Sequence, residues 1–473
     1  MSKPPPAPHK LTYLLLLGVL LAIWRFASRA QPVPAMPTDT FLNERFGAFF
    51  YGSSGQLFET LHAQWHSGNV VDWAAVEPVQ GVRHWEQLAG LESQLLAHQA
   101  VGVTPIVRVW EAPEWAQAVD GYDCGPLEPS KLEAFGDFMY DLTVRLSAPP
   151  YNVRYIELWN EPDLDPALLP DPNNGYWGCW GNAADPYYGG GAYGEMLAVV
   201  YPRIKQANPA VQVLIGGLMA PCHPQIATSQ GCINNMDGSP LLHPQASQFF
   251  AGILQRNGKR DGAQYFDVVN FHAYDFYGGS AGQYGDPNWG STAQTGALIL
   301  QKTAYFREAL GVLGVNPLSK QYLASEASLL CFRACDGYEA TLPSYIAQLY
   351  GATYATHLTA SVYFPLSASA DFGMAALLDS QNQAKPLAQV YVHSATLLYQ
   401  AEFLEPIVPA DGLRGYRFRT ANGRELWLVW SPTITPTPVH LPRPPAQVTT
   451  LTGEALPAEQ DPMVGTGLFV VFR

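Results

Sequence analysis

Tyr155-Ile156-Glu157-Leu158-Trp159-Asn160-Glu161-Pro162 is a strand-length apolar run that carries two glutamates and is stopped by a proline. Proline cannot continue a strand ladder, so the run predicts a strand that gives out at Glu161. Similar short runs recur on either side of it. Strands are predicted over Phe46–Tyr51, Asn69–Trp73, Thr104–Trp110, Arg154–Trp159, Val211–Gly216, Phe266–His272, Gln321–Ser325 and Ser361–Pro365. Helical stretches separate them, among them Leu88–Gln99, Lys131–Leu146, Tyr193–Gln206, Ala293–Leu313 and Leu342–Thr356. Eight strands alternating with helices predict an α/β fold, a (β/α)8 TIM barrel over residues 44–399, whose chemistry sits at the C-terminal strand ends. A doubly wound sheet is the alternative, but no glycine-rich phosphate loop follows the first strand.

A second glutamate, Glu326, ends Gln321-Tyr322-Leu323-Ala324-Ser325-Glu326 in the seventh predicted strand. Two carboxyl groups converging on one cleft are what cleavage of a glycosidic bond requires. One protonates the leaving oxygen and the other meets the developing oxocarbenium ion. Glu77 and Glu114 are rival carboxylates, and Glu77, just before Pro78, reads as structural. Glu157 by strand alternation shares a face with Trp159 and Glu161, deeper in the barrel, where a structural role fits better.

With 26 basic against 40 acidic residues in 473, and no basic run, the chain is not built for a nucleic-acid backbone. Charged residues make up 14% and aromatics 12%. The 12 Trp, 25 Tyr and 42 Gly suit long loops and aromatic platforms, although any single aromatic reads best as core.

Lys3 and Lys10 precede an apolar run from Leu11 to Trp24, followed by Arg25 and Ala27-Ser28-Arg29-Ala30. The run is short for a bilayer span and right for an export signal, so residues 1–30 read as a signal peptide or a signal anchor. Membrane contact is expected only through residues 11–24, if uncleaved. Residues 31–43, with Pro32, Pro34 and Pro37, read as a linker. Six cysteines in loop-like sequence agree with an extracellular or cell-surface location. Six allow 15 pairings; local spacing favours Cys222–Cys232 and Cys331–Cys335, which leaves Cys124–Cys179. No Cys-x-x-Cys pair or histidine cluster supports a metal, and no cofactor is expected.

After Tyr399 the pattern turns to strands. Leu413–Thr420 alternates, Ala421-Asn422-Gly423-Arg424 reads as a hairpin turn, Glu425–Trp430 returns, and a last strand lies near Leu468–Phe472. Residues 400–473 are expected to form a small β-sandwich that shields one flank of the barrel, with residues near the mature N-terminus a candidate to complete it.

From Phe46 to Tyr399 the chain resembles clan A of the retaining glycoside hydrolases, with families 39 and 5 the nearest. The matching positions are Trp159-Asn160-Glu161-Pro162, Ala324-Ser325-Glu326, and His272-Ala273-Tyr274 on the sixth strand. Trp73 to Trp85 with Glu77-Pro78 and Gly81, and Pro113-Glu114-Trp115-Ala116, match the segments after strands 2 and 3. The resemblance implies Glu161 as acid/base and Glu326 as nucleophile. It further implies Asn160 on the sugar 2-hydroxyl, Tyr274 orienting Glu326 and His272 lining the cleaved sugar's site. Trp73, Trp110 and Trp115 are candidates to stack on sugars and equally candidates to pack the top of the barrel. The clan's arginine on strand 2 is replaced here by Asn69-Val70-Val71-Asp72, with Arg108 on strand 3 the candidate to supply the charge. The tryptophan ending strand 8 is replaced by Val362-Tyr363-Phe364-Pro365. The implied partner is a β-linked carbohydrate substrate, cleaved by a monomer. The competing reading is an inactive carbohydrate-binding surface protein on the same scaffold.

Overall fold

A computed structural model describes residues 45–48, 61, 63–166, 177–226, 232, 244–367, 373–458 and 461–472. The expected signal segment and linker lie outside these residues. So do residues 49–51 of the first predicted strand and residues 167–176 of the long loop after the fourth. Among the described residues no helix is long and apolar enough to cross a membrane.

Eight parallel strands form the predicted barrel: β1 (Phe46–Ala48), β2 (Trp65–Asp72), β3 (Thr104–Trp110), β4 (Tyr155–Asn160), β5 (Gln212–Gly217), β6 (Val268–Tyr277), β8 (Gln321–Leu330) and β9 (Ala360–Tyr363). β1 pairs with β9 and β5 with β6, which closes the ring. The short β7 (Tyr284–Gly285) is an antiparallel addition to the far end of β6. The outer helices bury one stripe each. In Leu132–Ser147, Phe135, Phe138, Met139, Leu142 and Leu146 recur at helical spacing and are all fully buried. Inside the ring a separate apolar plug takes Trp65, Ile106, Tyr155, Leu214, Val268, Leu323 and Val362, one from each of seven strands. The barrel is therefore packed below and open to chemistry only above this plug.

Three strand assignments need correction. β2 lies earlier than expected and stops at Asp72, whose carboxylate caps a helical turn by accepting from the Ala75 N–H at 2.7 Å. Trp73 opens that turn and is not in the strand. β6 and β8 run well past their predicted ends, pairing from His272↔Glu326 to Phe276↔Leu330. Glu326 thus lies within a strand instead of at its end, because partners from other strands meet its charge.

Beyond the barrel, β10 (Glu402–Ile407), β11 (Arg414–Arg419), β12 (Glu425–Trp430), β14 (Gln447–Thr450), β15 (Ala455–Leu456) and β17 (Leu468–Val471) form one sheet in the order 10-11-12-17-14-15. Its second layer is a ribbon of two short strands, β13 (Thr437–Pro438) and β16 (Met463–Val464). β12 alternates cleanly: Leu426, Leu428 and Trp430 join the barrel's core, while Val429 joins the apolar cluster under the ribbon. Tyr416 seats against Gly351 of the helix Tyr338–Ala355. The sheet and barrel share one continuous core.

The disulfides are Cys124–Cys179, Cys222–Cys232 and Cys331–Cys335, as expected. All begin in segments that follow the C-terminal ends of β3, β5 and β8, so they brace the loops of the open face.

Candidate active site

Above the plug the barrel interior becomes polar, in the same strand order. Arg108 stands two residues beyond Ile106, Glu157 beyond Tyr155, Asn270 beyond Val268 and Ser325 beyond Leu323. Glu157 Oε2 accepts from Arg108 Nε at 3.1 Å, and its Oε1 accepts from Asn270 Nδ2 and the Gly217 N–H, both at 2.8 Å. A buried carboxylate is tolerable only when paired and hydrogen-bonded in this way. Glu157 therefore has the structural place that its depth suggested. Arg108 is 1% exposed and bridges upward, donating from Nη2 to Glu326 Oε1 at 3.1 Å. Strand 3 does supply the cation that strand 2 lacks.

Glu326 has its second oxygen, Oε2, held by the Tyr274 hydroxyl, which donates to it. Both oxygens are thus fixed by donors. Glu161 is in different company. It is 5% exposed and touches His272, with Nδ1 2.6 Å from Oε1. Burial raises its pKa to about 8, with Glu157 adding to the rise and Arg108 and Lys302 opposing it. The His272 ring is fully buried, and desolvation lowers its pKa to about 4, so it is neutral. One carboxylate oxygen of Glu161 and one of Glu326 lie within 4.8 Å of each other. Among the described residues Glu161, His272 and Glu326 are also the one cluster close enough to share a metal ion.

The end of β4 is kinked. Trp159 and Glu161 adopt φ of 71° and 43°, a region that side chains rarely tolerate, and the β4–β5 pairing skips from Leu158 to Asn160. The alternation expected to align Trp159 with Glu157 therefore fails. The Trp159 indole turns outward, edge-on to Phe135 and Trp180, and donates to the Cys124 carbonyl. Glu161 is aimed back into the cleft beside Asn160, which is 5% exposed.

Trp73 is removed from the sugar-facing residues by its position. It is fully buried between Trp115, Phe135 and Phe138, and its Nε1 donates to Glu77. Glu77 also accepts from the Gly81 N–H and is structural, as read from sequence. Trp110 is buried, its ring 5.8 Å from the Arg108 guanidinium, while Trp115 stays partly exposed. Phe364 lies edge-on to Tyr274 at 5.9 Å, an aromatic where the resemblance lacked a tryptophan.

Two residues escaped the sequence reading. Lys302, on the helix Ile299–Val312, is 3% exposed; its ammonium donates to the His272 carbonyl at 2.7 Å and to that of Met219. It fixes the strand that carries His272 from behind. Gly217 ends β5, and a Cβ there would lie 2.1 Å from His272 Nε2, so only glycine leaves room for the imidazole. A lysine in a helix reads as solvated, whereas the Gly216-Gly217 pair at a strand end was a usable signal of close approach.

No protein-family model matches the chain, and no curated protein does. Solved structures do. A family 39 glycoside hydrolase from the gut symbiont Bacteroides cellulosilyticus is similar with a TM-score of 0.65 at 15% identity, over 93% of this chain and 83% of that one. The catalytic domain of a family 30 xylanase C from Talaromyces cellulolyticus gives 0.58 at 12% identity, over 93% and 99%. A conserved exported protein from Bacteroides fragilis gives 0.58 at 12%, over 92% and 99%. The chain has the barrel fold of these proteins.

Proposed function

We propose that the chain is a retaining glycosidase that cleaves β-linked O-glycosidic bonds by double displacement. The observation that carries this reading is the close approach of two buried carboxyl groups, Glu326 held by two donors and Glu161 set against the neutral His272. Retaining enzymes hold their carboxyl groups about 5–5.5 Å apart, and inverting ones about 6.5–9.5 Å, to admit a water between carboxylate and sugar. One oxygen of each carboxylate within 4.8 Å of the other favours the shorter, retaining separation. In this reading Glu326 attacks the anomeric carbon while Glu161 protonates the departing oxygen, and Glu161 then takes a proton from the water that releases the sugar. Asn160 and His272 contact the sugar. Three disulfides support export to an oxidising compartment.

The test is the anomer formed first. Proton NMR in the opening minutes of hydrolysis of a β-glycoside should show the β-product ahead of mutarotation. An initial α-anomer would mean inversion and would make Glu326 a general base.

Gly217→Ala supplies a second check on the site. The added methyl has to displace the His272 ring, which is held by Glu161 and fully buried. Misplacing a catalytic group by about 1 Å costs on the order of 10²-fold, so kcat should fall by about that much, with Tm lowered only modestly. Wild-type kcat in this variant would remove His272 from the machinery.

A further inference from the structure

We infer that the loop after β8 carries an aromatic platform for a second sugar unit, next to the one held at the carboxylates. The inference rests on the glycosidase reading and extends it to a substrate of at least two sugars.

Three residues of β6 point to one face in turn: His272, Tyr274 and Phe276. His272 meets Glu161 and Tyr274 meets Glu326, so Phe276 is the next position outward along the same wall. Same-face neighbours on a strand are about 7 Å apart, which puts Phe276 just beyond the reacting carboxylates. Beside it stands Phe332, with ring centroids 6.2 Å apart and planes at 38°. Phe332 is 39% exposed.

The loop that presents Phe332 is fastened at both ends. Cys331 and Cys335 are bonded to each other, enclosing Phe332, Arg333 and Ala334. On the far side the Tyr277 hydroxyl, from the end of β6, donates to the Asp336 carbonyl. Gly337 then turns the chain with φ of 83°, and a Cβ there would lie 2.9 Å from that hydroxyl. An exposed phenyl ring tied down this firmly loses little freedom on binding, so its contact energy goes into affinity. The electron-rich face of an aromatic ring attracts the polarised C–H bonds on one face of a sugar. Arg333, exposed alongside, offers donors to sugar hydroxyls. The platform is continuous with the site through Phe276 and Tyr274, which favours a sugar of the same chain over an unrelated partner.

The test compares Phe332→Ala with wild type on two substrates built from one sugar. A β-glycosyl fluoride has a single sugar and a leaving group too small to reach Phe332. The β-linked oligosaccharides of two to five units reach it. The loss of kcat/KM on the oligosaccharides should exceed that on the fluoride by about tenfold, equivalent to ~1.4 kcal/mol, mostly through KM. The double variant Cys331→Ser with Cys335→Ser, and Tyr277→Phe, should open part of the same gap by freeing the loop. Losses on the two substrates within twofold of each other would overturn the platform while leaving the glycosidase reading intact. A wild-type protein that hydrolyses neither substrate for any sugar tried would instead overturn the glycosidase reading itself.

Discussion

Glu326→Ala should lower kcat/KM by about 10⁴–10⁶, the range seen when a covalent nucleophile is deleted from an otherwise intact site. The fold should survive, because Arg108 keeps Glu157 as a partner at 3.1 Å after Glu326 is gone. Losing both partners would strand a buried guanidinium, which is far more damaging. The variant also leaves a small cavity lined by Arg108 and the Tyr274 hydroxyl, both donors toward the space the carboxylate filled. A small anion is the natural occupant. Azide should therefore restore turnover of an activated β-glycoside and give an α-glycosyl azide, since it attacks from the nucleophile's side. Chromatography and NMR of that product are the check. Near wild-type rates without azide would sink the assignment, and a β-azide would mean that Glu326 and Glu161 have exchanged roles.

Much of this site was legible because its parts are local. Asn160-Glu161-Pro162 marks a strand end on its own, and His272-Ala273-Tyr274 places two side chains on one face through alternation alone. What was missed depends on contacts remote in sequence. Glu326 reads as a strand terminus because a charge interrupts the apolar run, yet β8 continues to Leu330, since Arg108 and Tyr274 from other strands satisfy it. Trp159 breaks the alternation through a positive φ that no residue type announces. Trp73 has the right motif neighbours for a sugar platform, but capping by Asp72 turns it into the core. Lys302 is visible only once the helix Ile299–Val312 is laid against β6.

Glu161→Gln should remove the alkaline limb of the pH profile along with most of the rate on ordinary substrates. The wild-type carboxyl, raised to about 8 chiefly by burial, is protonated below that pH and ready to donate. Above it the acid is lost, so kcat/KM should fall about tenfold per pH unit. Glutamine can neither transfer a proton nor ionise, so its residual rate should stay flat through pH 8. The loss should reach about 10²–10⁴ for a poor leaving group, whereas a dinitrophenyl glycoside, which needs no acid, should still glycosylate the enzyme quickly. The same shift predicts stability. Glu161 binds its proton more tightly in the folded chain than in the unfolded one, where the pKa is about 4.3. Folding stability should therefore fall as pH rises from there through about 8. The Tm of Glu161→Gln relative to wild type should rise between pH 5 and pH 9, because only the wild type keeps in the fold a proton that its unfolded chain gives up. An alkaline limb that persists unchanged in Glu161→Gln would assign the titrating acid to another residue, and Glu161 would lose its role.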